Sequence, residues 1–234
     1  MNKGDIGGFV EWEQNLSQRE NDYSWVGKDA VVMGRRTRIE GATKVTDDAI
    51  VQGDSHLSGS IQVSGDADLM DVVLKGFQIL IYGKVKLYEV KLLGDGITVS
   101  GKVKMYNVHT SSKLTNFRIT GNASIEGNIP LWLNGNKIFI RENVEIEGGG
   151  EIKGNDILIS GKSKLKAGFK LNGNKIRIQD FALIVGDVRL GDNCTIKDLV
   201  ELTENEGSFS PIITDIELSG DVKLTTGDIH EINT

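Results

Sequence analysis

The chain has 234 residues, a formal charge of −6, 29 glycines, two prolines, three histidines and one cysteine. The acidic balance argues against a protein whose main task is to coat nucleic acid, and Cys194 alone supports neither an internal disulfide framework nor a cysteine-cluster metal site. No apolar run approaches the ~20 residues of a membrane-spanning helix, and Met1-Asn-Lys-Gly does not read as a signal peptide, so a soluble chain made or assembled in a cytoplasm is expected.

Residues 1–24 follow no repeat and carry Phe9, Trp12 and Tyr23, which predicts an N-terminal cap folded over whatever comes next. From residue 25 a six-residue beat sets in: Met33, Ile39, Val45, Val51, Leu57, Val63 and Leu69. Smaller residues stand two before several of them (Thr37, Thr43, Ala49, Ser55, Ala67), as a tighter inward position requires. Three such hexapeptides make a coil of about 18 residues, the way a left-handed β-helix is written in sequence. That hand is assigned to roughly residues 25–110 and is expected to carry through, because a continuous stack cannot readily reverse it.

Gly4-Asp-Ile-Gly-Gly8-Phe-Val-Glu11, then Glu13 and Asn15-Leu-Ser17, followed by the hexapeptides, resembles the start of hexapeptide-repeat β-helix proteins of bacteriophages and prophages, often labelled YdcK-like. The resemblance covers about residues 4–70. It implies a single-stranded left-handed β-helix, a phage or mobile-element origin and a non-enzymatic default, and it carries over no catalytic residue. Residues 71–234 depart from the strict Gly-Asn-Ala-x-Val repetition of such proteins.

A longer repeat runs through the whole chain: aliphatic, any residue, aliphatic, then two more, usually ending in Gly. It reads Ile61-Gln-Val-Ser-Gly65, Ile79-Leu-Ile-Tyr-Gly83, Ile97-Thr-Val-Ser-Gly101, Phe117-Arg-Ile-Thr-Gly121, Ile138-Phe-Ile-Arg-Glu142, Ile157-Leu-Ile-Ser-Gly161 and Ile176-Arg-Ile-Gln-Asp180. A degenerate copy follows at Ile196 and a good one at Ile216-Glu-Leu-Ser-Gly220. The spacing of about 18 to 21 residues is one coil of a β-solenoid. After each copy a second strand has period two, as in Val85-Lys-Leu87 and Val103-Lys-Met105, with apolar residues inward and polar ones outward. A third strand follows in most coils, as in Val72-Val-Leu74, Val90-Lys-Leu92, Leu131-Trp-Leu133, Phe169-Lys-Leu171 and Val188-Arg-Leu190. Its exit is rich in Asn and Gly; Leu-Asn-Gly-Asn-Lys-Ile occurs at both 133–138 and 171–176, where left-handed backbone conformations are expected. The fold class is therefore all-β, a single-stranded β-helix with three short strands per coil and an expected left-handed winding: a cap over 1–24, the helix over 25–195, and degenerate coils with a second cap over 196–234. Leu202–Ser210 is the expected protruding loop of that C-terminal end.

Four constellations bear on function. Outward Lys84, Lys86, Lys102 and Lys104, with Lys162 and Lys164 some coils later, form a stripe able to grip an anionic polysaccharide, although Asp66, Asp68 and Glu145 share its columns. Outward Phe139, Leu158 and Leu80, on the strand after the Asn- and Gly-rich turn, and outward Trp132 on the third strand are the interface candidates for homo-oligomerisation or for a protein partner. His56, His109 and His230 are the only histidines; a trimeric hexapeptide-repeat acyltransferase would need one as a general base, and solvated surface residues account for them better. The Asp, Asn and Gly corners lack the nine-residue calcium repeat, so neither a metal nor any other cofactor is expected. The function these readings favour is a non-enzymatic phage- or prophage-encoded structural or interaction protein, a virion component or a binder of a host protein. A hexapeptide-repeat acyltransferase and a glycan-binding tail-associated protein are the alternatives.

Overall fold

The computed structural model describes residues 7–53, 55–111, 114–125, 131–143, 145–146, 150–162, 164–165 and 169–180, with the short strand segments 183–185, 194–197, 201–203, 217–219 and 223–224 toward the C terminus. His230, the third strand at Val188–Leu190, most of the expected loop Leu202–Ser210 and the expected C-terminal cap lie outside the described residues.

The chain is an all-β solenoid in which every strand pairs in parallel with the equivalent strand one coil away. The inward alternation dictates this arrangement. Ile61, Ile79, Ile97, Phe117, Ile138, Ile157 and Ile176 stack as one buried column, and Val63, Ile81, Val99, Ile119, Ile140, Ile159 and Ile178 as the next. Leu69, Leu87 and Met105 line the second face, and Leu74 and Leu92 the third. Each inward aliphatic removed from water contributes about 1.5–3 kcal/mol, but only because the next coil covers it.

Three expected features change. First, the strands of adjacent coils are not always short. Val73–Tyr88 and Lys91–Tyr106 are 16-residue ribbons paired straight through their corners, Gly76 with Gly94 and Gly83 with Gly101. Second, the degenerate copy starts two residues earlier than expected: Cys194 pairs with Ile176 and Ile196 with Ile178. The lone cysteine is 1% exposed and fills the interior slot an isoleucine takes elsewhere. Third, the six-residue beat slips by one at its start. Val32, not Met33, is buried, and Ile39 follows seven residues later with Gly34-Arg-Arg36 between them.

The N-terminal segment also differs from a lid. Phe9 (63% exposed), Trp12 (44%) and Tyr23 (74%) face solvent and do not cover the core. Val10 and Leu16 pack against the core instead. The Gly8 amide donates to the Val26 carbonyl (2.5 Å), Ile39 to Asn15 (3.0 Å) and Ser24 to Gly41 (3.1 Å), so residues 7–24 form one more rung of the stack. Asp22 clips that rung in place. Its carboxylate accepts from the Gly41 amide (2.7 Å), the Ser17 hydroxyl (3.0 Å) and both the amide (3.2 Å) and hydroxyl (2.5 Å) of Ser24. Burial alone would raise the Asp22 pKa; the Ser24 hydroxyl, the Gly41 amide and the Ser17 hydroxyl outweigh it and hold the carboxyl below its ordinary value.

The corners follow three rules. Between the first and second faces, Gly65, Gly83, Gly101, Gly121 and Gly161 all have positive φ, and Glu142 and Asp180 take the same conformation. Asp71, Glu89 and Asn107 do so at the corner after the second face. The Asn-Gly corner does not: Gly135, Gly154 and Gly173 lack positive φ, contrary to expectation, and are required by close approach, since a Cβ at Gly154 would lie 2.5 Å from the Gly135 carbonyl oxygen. Its asparagines form a side-chain ladder, Asn155 donating to Asn136 (2.7 Å) and Asn174 to Asn155 (3.4 Å).

Two outcomes follow from this geometry. Gly83→Ala places a Cβ 2.1 Å from the Gly65 carbonyl oxygen at φ 109°, so chemical denaturation should show a loss of at least ~2 kcal/mol. Gly96→Ala, with nothing within 4 Å, should stay within about 0.5 kcal/mol of the parent protein. The depressed pKa of Asp22 means that its contribution is present above the unfolded value of 3.8 and is lost as pH falls through the lower folded value. Hydrogen-exchange protection of the Gly41 and Ser24 amides should therefore drop selectively below about pH 4. In Asp22→Asn it should be low already at neutral pH.

Candidate functional site

The second face is built from strands whose inward residues, Val85, Leu87, Val103 and Met105, are all buried. Period-two alternation then forces Lys84, Lys86, Lys102 and Lys104 outward. The corner glycines Gly83 and Gly101 set the starting point of each strand, so the lysines align rung on rung: Lys84 pairs with Lys102 and Lys86 with Lys104. Asp68 lies one rung below Lys86 in the same column.

These residues line a shallow groove of about 380 Å³, bounded by the four lysines, Asp66 and Asp68. Lys84 Nζ stands 3.4 Å from Asp66 and Lys86 Nζ 3.9 Å from Asp68. All four side chains are well exposed, so each pair contributes at most about 1 kcal/mol. Lys102 is exposed and has Lys84 below it and Asn122 above, with no carboxylate on either side in its column. Like charges stacked directly opposite in a ladder are destabilising. The groove carries four ammonium groups and two carboxylates, a local excess of positive charge on an acidic chain.

Lys164 and Lys162 do not join this group. Lys164 follows Lys104 in the column only after Ser124 and Glu145, and it pairs with Glu145 at 3.4 Å. Lys162 is exposed, and Asn122 and Asn143, joined by a 2.9 Å side-chain bond, separate it from Lys102. The stripe is thus a four-lysine cluster plus two outliers.

Sequence reasoning missed the aromatic edge of this face. Tyr88 and Tyr106 pair in register and stack with centroids 4.6 Å apart and planes within 2°, and Met70 continues their column at 46% exposure. The signal was present: Tyr88 and Tyr106 share the spacing that relates Lys84 to Lys102.

The apolar interface candidates do not form one patch. Leu80 and Phe139 share a column on the first face but are separated by Thr98 and Arg118. Leu158, expected to be exposed, is only 5% exposed between Phe139 and Arg177 of the neighbouring rungs, and offers almost no surface. Trp132 is 45% exposed and lies on the third face, as its strand predicts, paired with His109 and Glu151.

Catalytic geometry is not assembled around the described histidines. His56 and His109 fall in one outward column with Val73 and Lys91 between them, about 14 Å apart by rung spacing. His56 lies 3.9 Å from Glu40, and His109 bonds the Asn107 side chain at 2.9 Å. Among the described residues no group of His, Cys, Asp and Glu is arranged to hold a metal ion, and no helix is long and apolar enough to cross a membrane.

Fold and face together define a parallel β-solenoid with a lysine- and tyrosine-bearing side. No protein-family model matches the chain, and no curated protein or solved structure shows significant similarity to it.

Proposed function

We propose that this chain is a non-enzymatic interaction protein of phage or prophage origin that presents a rigid β-solenoid surface, and that its second face binds an anionic polysaccharide. The observation that carries this reading is the Lys84, Lys86, Lys102 and Lys104 cluster beside the stacked Tyr88–Tyr106 pair. Ammonium groups repeated on a rung spacing of about 4.8 Å suit the spaced carboxylates or phosphates of a linear polymer. The tyrosine hydroxyls along this edge suit its sugar hydroxyls as hydrogen-bonding partners. The mechanism is shape and charge: the columns are fixed by backbone pairing, so the face is preorganised and loses little entropy on binding. A virion or tail-associated setting fits such a surface, and repeated copies in a homo-oligomer would multiply weak contacts.

Retention on immobilised acidic cell-wall polysaccharide tests this reading. The wild-type protein should be retained at low salt and released as ionic strength rises. Replacing Lys84, Lys86, Lys102 and Lys104 together by Gln should abolish retention while leaving thermal unfolding within a few degrees, because no like charges are added to the columns. Unchanged retention of that variant would refute the assignment of the lysine face. Light scattering on the same samples reports whether the active species is a monomer or an oligomer.

A further inference from the structure

The first face carries a second charged surface, some coils further along the chain. On the rungs of strands Leu114–Thr120, Leu131–Arg141, Asp156–Ser160 and Lys175–Gln179, the outward positions supply five cations, Arg118, Lys137, Arg141, Lys175 and Arg177, against one carboxylate, Asp156. Glu142 and Asp180 stand on the adjoining corner, and the Asp180 carboxylate is engaged by the Gly161 amide at 2.9 Å. The outward excess is 5 − 1 = +4, on a chain whose total is −6.

Phe139 sits at the centre of this surface. The guanidinium carbons of Arg118, one rung away in its own column, and of Arg141, two residues along its own strand, both lie 5.7 Å from the ring centroid. The ring holds both guanidinium groups by cation–π attraction while Arg118 and Arg141 remain exposed. Arg177 is held at the far side by Asp156 (2.8 Å), and its buried Nε–H has no hydrogen-bond partner. Buried Leu158 supplies a firm apolar floor between Phe139 and Arg177.

We infer that this surface is a docking site for an acidic polypeptide segment of a partner protein. Exposed guanidinium forks match carboxylates bidentately, and an aromatic flanked by arginines over a buried aliphatic is the composition of protein-interface hot spots. The patch spans four rungs, about 14 Å, the reach of a short extended acidic segment. Both guanidinium groups lie within cation–π distance of the Phe139 ring, which leaves it less available for stacking a nucleic-acid base. This site is on a different face from the lysine groove and stands or falls independently of it.

Fluorescence anisotropy with a labelled oligoglutamate peptide, and with a labelled oligothymidylate of equal charge, tests the assignment on the full chain. The peptide should bind the wild-type protein more tightly than the oligothymidylate does. Arg118→Glu with Arg141→Glu should weaken peptide binding at least ~10-fold, whereas Lys84→Glu with Lys102→Glu should change it by less than about 2-fold. Arg118→Lys with Arg141→Lys keeps the charge and the fold but loses the forked donors, and it should bind several-fold more weakly than wild type. Absence of measurable peptide binding, tighter binding of the oligothymidylate, or equal loss in the lysine variant would each overturn the proposal.

Discussion

The structure depends on how closely one coil approaches the next at its corners. Along the corner between the first and second faces, a Cβ at Gly83 would sit 2.1 Å from the Gly65 carbonyl oxygen, at Gly101 2.4 Å from that of Gly83, and at Gly121 2.7 Å from that of Gly101. Such contacts leave room only for hydrogen, and positive φ at the same residues adds a second reason for glycine. Where the corner departs from glycine, at Asp180, the side chain contributes instead by accepting the Gly161 amide of the coil before it. The corner thereby locks the vertical register, and every column on the adjoining faces inherits it.

Straight columns make identical residues meet. Apolar neighbours gain from this, as the buried isoleucines do; asparagines gain through the ladder Asn136–Asn155–Asn174, and tyrosines through the Tyr88–Tyr106 stack. Charges lose. An acid one rung away offsets some of the outward lysines, as Asp66 does for Lys84 and Glu145 for Lys164. Lys102 over Lys84, and Arg118 with Arg141 around Phe139, are exceptions to that pairing. A surface that keeps like charges together in a register it could have balanced is the physical reason for assigning binding to those two places.

The two faces differ in the kind of cation they present. Ammonium groups on flexible stems are compact point charges suited to a polymer whose acidic groups vary in spacing. Guanidinium groups pinned over a ring are directional and favour planar carboxylates. A single solenoid can thus present two distinct charged surfaces without any loop or domain to carry them, because each face is an independent set of columns.

The solenoid, its inward columns and the four-lysine cluster are legible from spacing and alternation alone. A regular spacing of 18 residues between Lys84 and Lys102, or between Ile79 and Ile97, is one coil, and period-two alternation sends each residue in or out. Which outward residues become neighbours once the coils lengthen depends on the folded register. Arg118 and Arg141 stand 23 residues apart and in adjacent columns, so no fixed spacing connects them; they meet because Phe139 pairs with Arg118 across a coil of 21. Burial was likewise beyond the pattern. Leu158 reads as outward, and is outward in register, yet its neighbours along the column leave it closed to solvent. Alternation records direction, whereas exposure depends on the size and position of side chains one coil above and below.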